Sequence, residues 1–356
     1  MKKIDCILVT GGHGFIGTQL LPVLPSDLPV VVVDNFLKQV HPNIATNTFP
    51  PNVDTYVANI LDANLWANLF DKYSPSIIIH LAAETSTGLS GTQMNVHTGT
   101  NVQGLAVLLT SLVENSITPK KFVLASSRAV YGEGSWIDSR GSVFSANKRE
   151  LKDLSKQNWS PRNPLITSDF LVEPSGHDWR TTLKSPTSVY GLTKSFQEDL
   201  VEIWAEINQV SLNVLRFQNV YGPGQTPSNS YTGILGLFIR NAMQGLPIEV
   251  YEGGDIVRDF VFVTDVVHSI IQSLSKNESV LKADVGTGRR LTLLQVAALV
   301  ADHYKSPTPI IANKYRVGDV RAAYCNPSAW LDGWAPQISF ERGLPETIAY
   351  VERFFS

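Results

Sequence analysis

The chain has 356 residues, 43% of them apolar, and a formal net charge of −3. That length supplies a large core and one to three domains, and the balance of charge leaves no basic field to attract nucleic acid. Two cysteines far apart, Cys6 and Cys325, argue against a disulfide framework or a cysteine-built zinc site.

Met1-Lys-Lys and the apolar run from Ile4 to Val9 have the look of a signal-peptide opening. The run is too short, holds Asp5 and ends in Gly-Gly-His with no cleavage pattern. No stretch approaches the roughly 20 apolar residues of a membrane span. A soluble, cytoplasmic protein without a membrane partner is expected.

Ile4 to Thr10 suits a buried parallel strand. It runs into Gly11-Gly-His-Gly14-Phe15-Ile16-Gly17 and then a helical pattern through Leu20, Leu21 and Leu24. Glycines at this spacing permit a tight turn, close backbone approach to a pyrophosphate and close helix packing, with a helix N-terminus facing the phosphates. A second strand, Val30 to Val33, ends at Asp34, about 20 residues on, where a carboxylate accepts from a ribose 2′-hydroxyl. Asp34 would repel a 2′-phosphate, and Asn35-Phe36 brings no arginine, so NAD is expected over NADP. Thr55 to Val57 reads as a third strand, and the Asn59-Ile60-Leu61-Asp62 loop after it either caps the next helix or closes over adenine.

Ser76 to Leu81 is another buried strand, followed by Ala82-Ala83, small enough for a cofactor to lie against the backbone. Residues 100 to 114 pattern as an amphipathic helix with Leu105, Leu108, Leu109 and Leu112 on one side. The strand Lys121 to Ala125 delivers Ser126-Ser127-Arg128 at its carboxyl end, where open parallel sheets bind ligands. A helix then begins near Tyr190, capped by Thr187 or Ser188, with Phe196, Leu200, Ile203 and Ile207 at helical spacing. Tyr190 and Lys194 share one face of it. A free tyrosine has a pKa of about 10, and the neighbouring ammonium is expected to bring it down toward working pH. With Ser127 the pair makes a proton-handling trio.

From Asn219 to Gly233 the chain is rich in Gly, Pro, Ser and Asn, a pattern for a binding loop, and a helix from Ile234 to Gln244 follows. Arg258 precedes a strand and a helix from Asp265; Ala283 to Gly286 reads as the last strand and Leu291 to Tyr304 as another helix. Trp330 and Trp334 are expected to pack the C-terminal unit, or one of them to border the sugar pocket.

Several motifs occur in order along nearly the whole chain. They are Thr10-Gly-Gly-His-Gly-Phe-Ile-Gly17, His80-Leu-Ala-Ala83, Ser126-Ser-Arg-Ala-Val-Tyr-Gly132, Tyr190-x-x-x-Lys194 and Leu215-Arg-Phe-Gln-Asn219-Val-Tyr-Gly-Pro-Gly224. Arg258-Asp-Phe260, Asp265-Val-Val267 and Arg316-Val-Gly-Asp319 complete the series. With them the chain resembles an extended short-chain dehydrogenase/reductase of the nucleotide-sugar epimerase and dehydratase group. Glu84-Thr-Ser-Thr-Gly88, Gly222-Pro-Gly-Gln225, Ser230-Tyr-Thr-Gly233 and Tyr315-Arg-Val-Gly-Asp-Val-Arg321 are similar to the branch of dTDP-L-rhamnose 4-epimerase-like and UDP-glucose 4-epimerase-like proteins.

The resemblance implies an α/β fold, a Rossmann-type doubly wound parallel sheet with a smaller C-terminal substrate-binding domain. Residues 1–218 and 261–287 would bind NAD, with an insertion at 133–186, and residues 219–260 and 288–356 would bind a nucleotide sugar. Implied cofactor contacts are Gly11, Gly14, Phe15, Ile16, Gly17, Asp34, Asn35, Asn59, Ile60, Leu81, Ala82, Ala83, Asn101, Ser126, Tyr190 and Lys194. Implied substrate contacts are Thr85, Ser127, Arg128, Asn219, Tyr231, Arg258 and Arg316, with the last two arginines and Asn219 on the diphosphate; Arg128 either touches substrate or only anchors the insertion. A homodimer through helices at roughly residues 100 to 114 and 190 to 207 is implied as well.

The implied reaction is 4-epimerisation of a nucleotide hexose. Tyr190 as phenolate takes a hydroxyl proton, Ser127 shares it, and Lys194 holds the nicotinamide ribose; a 4-keto sugar forms, turns about its diphosphate link and is reduced on its other face. Dehydratases and decarboxylases of the group resemble one another in placing acidic residues after the active-site Ser or Thr, and 3,5-epimerases place a cysteine there. Arg128 and Ala129 can do neither job, so oxidation and re-reduction at one carbon fits best. Two alternatives stay open: an NAD(P)H-dependent 4-keto-sugar reductase with the same trio, and a non-catalytic dinucleotide-sensing protein.

Two departures stand out. Asn59 replaces an aspartate that holds the adenine amino group, which implies a weaker contact. The insertion lacks the paired, zinc-binding cysteines of similar proteins, so no metal is expected, and a stretch this long is expected to edge the substrate cleft.

Overall fold

The computed structural model describes residues 3–38, 40–41, 52–85, 88, 90–163, 172–227 and 233–356. Its centre is a seven-stranded parallel sheet. From one edge the strands are Val280–Val285, Ser211–Phe217, Lys121–Ser127, Tyr73–His80, Ile4–Thr10, Val30–Asp34 and Val53–Val57. Strands such as Val30-Val-Val-Val-Asp34 are buried along their whole length, as a parallel sheet covered on both faces requires. The order reverses between Ile4–Thr10 and Tyr73–His80, with Thr10 beside His80 in register. Such a switch point opens a crevice at the carboxyl ends of the strands.

One face of the sheet packs Trp66, Phe70, Leu105, Leu108, Phe122 and Trp204; the other packs Leu20, Leu21, Val267, Ile270 and Leu331. A third core joins Phe238, Phe260, Val296 and Phe340. Trp330 and Trp334, expected to pack the C-terminal unit, pack it against the sheet. Trp334 lies on the sheet's second face, where its Nε1 donates to Asp265 O at 3.1 Å, and Trp330 packs edge-on against it.

The helix expected at 100–114 is α-helical only over Leu105–Glu114. A π-helical stretch, Thr98–Gly104, and a short turn, Met94–His97, precede it. The wide turn points Asn101 inward, and such turns gather at functional sites. Leu105, Leu108, Leu109 and Leu112 are buried. Two other helices start off the expected residue: one spans Val263–Leu274, and Leu293–Tyr304 follows a two-residue strand, capped by Thr292 and Gln295.

The tyrosine helix spans Val189–Asn208, and Ser188 accepts from Gly191 N as its N-cap. Its buried face is Thr193, Lys194, Gln197, Glu198, Val201, Trp204 and Ala205. Phe196, Ile203 and Ile207 are 49%, 60% and 75% exposed, so that apolar stripe is not core. The insertion builds a small antiparallel sheet of Val143–Ser145, Ser135–Ile137 and Glu173–Pro174. Trp136 and Phe144 from it pack on Val257 and Ala322. Among the described residues no helix is long and apolar enough to cross a membrane.

Candidate active site

The glycine turn sits at the crevice. Gly11 has φ +68°, and a Cβ there would lie 2.7 Å from Ala82 N, so only glycine brings these two backbones together. The cleft is lined by Gly11, Gly14, Asp34, Asn35, Asn59, Ile60, Leu81, Ala82, Ala83 and Thr85. Asp34 is fixed at its far end by His13 N and Phe36 N, each at 2.9 Å. A floor of bare backbone with a carboxylate at the end fits a dinucleotide whose ribose carries a free 2′-hydroxyl. Phe15, Ile16 and Gly17 form the first turn of the helix Phe15–Leu20. Asn59 Oδ1 already accepts from Leu61 N at 3.0 Å, which limits what it offers an adenine.

Two expected cofactor contacts already hold protein partners. Asn101, fully buried, accepts from Glu84 N at 2.7 Å and donates to Glu84 O at 3.0 Å and Thr193 Oγ1 at 2.9 Å. It ties the loop after His80 to the tyrosine helix, with both amide hydrogens used. The Ser126 hydroxyl turns under the sheet and donates to Glu198 Oε1.

Ser127 ends its strand beside the first turn of the tyrosine helix, where its hydroxyl accepts from Ala129 N at 3.2 Å and lies near enough to the Tyr190 phenol to act on its pKa. Close packing is allowed by Gly191, where a Cβ would lie 2.4 Å from Ala129 O. Burial pushes the Tyr190 phenol above its usual range, while Ser127 and the Arg128 guanidinium pull it down. Lys194 Nζ is buried and donates to Ala125 O at 2.8 Å. Burial lowers its pKa to about 7, with Glu198, one helical turn on, opposing the shift.

Beneath the trio runs a buried chain of polar groups. Arg216 donates to Glu198 at 2.9 and 2.7 Å and to Tyr131 Oη at 2.8 Å; Tyr131 donates to Asp284 Oδ1 at 2.7 Å. Asp284 also accepts from Trp179 N in the insertion at 2.9 Å, and burial pushes its pKa up to about 7.

A model of the NAD dependent epimerase/dehydratase family matches residues 7–152 and 171–286. The chain belongs to that family. NAD is the family's cofactor, and the crevice fits it. A dTDP-L-rhamnose 4-epimerase of Burkholderia thailandensis is 40% identical over 97% of this chain and 94% of its own length. A putative UDP-glucose 4-epimerase of Methanocaldococcus jannaschii is 26% identical over 97% and 98%. Among solved structures, a Thermotoga maritima UDP-glucose 4-epimerase with UDP-glucose aligns at TM-score 0.76 and 26% identity, covering 99% of this chain and 100% of that one. A Thermus thermophilus UDP-glucose 4-epimerase with NAD aligns at TM-score 0.72 and 25% identity, covering 98% and 99%.

In this family member the side of the crevice beyond Ser127 is cationic. The half-buried Arg128 is electrostatically coupled to Arg258, Asp319 and Tyr190. Arg258 is buried and donates to Asp319 Oδ1 at 2.7 Å. Arg316 lies at the start of the turn that presents Asp319, exposed, with its guanidinium 5.6 Å from the Tyr251 ring centre. Asn219 Oδ1 is buried without a partner among the described residues. Tyr231 lies outside the described residues, as do positions 86–87 and 230–232 of the motifs noted above. Among the described residues no three His, Cys, Asp or Glu side chains gather as a metal site.

Sequence reasoning passed over Glu198, Arg216, Tyr131, Asp284, Asp319 and Arg149. Glu198 had a local signal, a carboxylate four residues after Lys194 on the same helix face, and Tyr131, Arg216 and Asp319 stood inside the motifs without a role; Asp284 and Arg149 had neither.

Proposed function

We propose that the chain is an NAD-dependent 4-epimerase of a nucleotide hexose, a dTDP-L-rhamnose-like or UDP-hexose substrate. The observation that carries this is Ser127 set against the Tyr190 phenol, with Lys194 one helical turn on, followed by Arg128 and Ala129, where no acid or thiol can work a second carbon. NAD, when bound, accepts and returns a hydride. Tyr190 takes the C4 hydroxyl proton and gives it back; Ser127 holds the sugar oxygen in line, and Lys194 holds the cofactor ribose. Arg258, Arg316 and Asn219 bind the diphosphate about which the keto sugar turns, with Thr85, Arg128 and Tyr231 around the ring.

The working assembly in this reading is a cytoplasmic homodimer. The exposed stripe of Leu192, Phe196, Ile203 and Ile207 supports a second copy as partner, since a contiguous apolar helix face is unfavourable in water. Residues 1–218 and 261–287 serve NAD, and residues 219–260 and 288–356 serve the nucleotide sugar.

The test is incubation of the purified protein with dTDP-, UDP- and GDP-hexoses, with products read by NMR. Inversion at C4 without added cofactor is expected, and Tyr190→Phe should lose roughly 10²- to 10⁴-fold in kcat while keeping its NAD. Turnover only with a steady supply of NAD(P)H would identify a reductase instead, and no product from any hexose would sink the substrate class.

A further inference from the structure

Arg149 belongs to the insertion, far in sequence from the trio, yet it is only 8% exposed. Each N–H of its guanidinium fork has an acceptor. Nε donates to Glu133 Oε1 at 2.7 Å; Nη1 donates to Glu252 Oε2 at 2.6 Å and Trp159 O at 2.9 Å; Nη2 donates to Glu252 Oε1 at 3.2 Å and Asp319 O at 2.8 Å. An arginine has five such hydrogens, so none is left over. Burial opposes its charge, but Glu133 and Glu252 outweigh that and hold it protonated.

The Asp319 contact gives the cluster a direction. Arg149 holds the carbonyl of Asp319, whose carboxylate receives Arg258 Nη2 at 2.7 Å. Two residues on, Arg321 N donates to the second oxygen of Glu133 at 2.9 Å. The backbone carrying Asp319 is thus pinned on both sides by the insertion. Arg258 has one other hydrogen bond among the described residues, to Val257 O. Where its guanidinium points is therefore decided at Asp319.

We infer that Arg149 is a positioning residue for the anionic end of the substrate: through Asp319 it fixes Arg258, and this is what the insertion contributes to the site. The identity of the anion, a nucleoside diphosphate, rests on the epimerase reading above.

The experiment is calorimetric titration of dTDP and UDP into the NAD-loaded protein, for wild type, Arg149→Lys, Asp319→Asn and the double variant. Lysine keeps the charge and three donors, so the fold should hold, and thermal melting with NAD content checks it. Arg149→Lys should weaken diphosphate binding roughly 10-fold, as loss of an orienting partner commonly does. KM for the nucleotide sugar should rise by the same factor with kcat nearly unchanged, and the double variant should lose little beyond Asp319→Asn alone. Unchanged affinity in Arg149→Lys, or losses that multiply in the double variant, would overturn the inference while leaving the epimerase reading intact. A folded, NAD-loaded wild type that binds neither diphosphate would sink the epimerase reading and the inference with it.

Discussion

Two buried charge networks flank the reaction centre, and they differ in what they join. The inner one, Ser126–Glu198–Arg216–Tyr131–Asp284, links strand ends to the tyrosine helix within the sheet. The outer one, Glu133–Arg149–Glu252 with Asp319, links an insertion to the loop facing Arg258. Glu198 stands one turn below Lys194, so the inner network bears on the groups that move protons. The outer network ends on the Arg258 guanidinium, proposed above to receive an anion. In the reading proposed here, one motif region sets the chemistry and a separate one sets how tightly the ligand is held.

The largest effect that separates them is on stability. Arg216→Met would leave Glu198 buried without its bidentate partner and Tyr131–Asp284 without a cation. Breaking a buried pair from one side costs about 3–5 kcal/mol, and urea unfolding should show a loss of that size. Arg149→Lys, which keeps its charge, should lose much less. Comparable losses from both variants would erase the distinction between a core network and a positioning one.

The inner half was largely legible from residue order because its signals are local. Gly11 to Gly17 announces a turn, Asp34 ends the next strand, and Tyr190 and Lys194 lie one helical turn apart. Even there the hydrogen bonds were not legible: Lys194 turns to Ala125 O, and Asn101 is taken by Glu84 and Thr193. Nothing in a linear pattern tells a side chain facing the cofactor from one bracing the loop beside it. The outer half was illegible for a plainer reason. Arg149 meets Glu252 and Asp319 from more than 100 residues away, and an insertion with no family motif gives no hint of which charge is buried. The Phe196, Ile203 and Ile207 stripe has the same helical period whether it faces core or solvent, and here it faces solvent.

Acid unfolding offers a second comparison, because the sheet and the insertion each bury a histidine. His80, against Thr10 Oγ1 at 2.8 Å, has its pKa lowered to about 3 by burial and by Lys194. His177, in the insertion against the Tyr131 ring, is lowered to about 3 by burial and by Arg128, Arg216 and Arg258. Both folded values lie below the unfolded value of about 6.5. The unfolded chain therefore takes up protons that the fold refuses. The stabilisation is complete above about pH 6.5 and is lost as pH falls from there toward 3, at about 1.4 kcal/mol per pH unit for each histidine. Urea unfolding across that range should show His177→Asn removing about that much slope from a single cooperative transition. An early transition altered only by His177→Asn would show that the outer region opens by itself.

The smallest and sharpest test concerns Arg128, which stands between the two networks. It is coupled to Asp319 and Arg258 on one side and to Tyr190 on the other. As a cation it favours the phenolate against the effect of burial, so removing it must raise the Tyr190 pKa. Activity that needs phenolate falls on the acid side, and the acid limb of kcat/KM reports that group in the free enzyme. Arg128→Met should therefore move the limb toward higher pH, by about one unit for a nearby charge, and Arg128→Lys should bring most of it back. Because Arg128 also faces the outer network, KM should rise in the methionine variant at every pH, whereas Arg149→Lys should raise KM and leave the limb in place. If the limb ignores Arg128 and moves only in Lys194→Met, then the lysine governs the phenol after all, and Arg128 belongs to ligand binding alone.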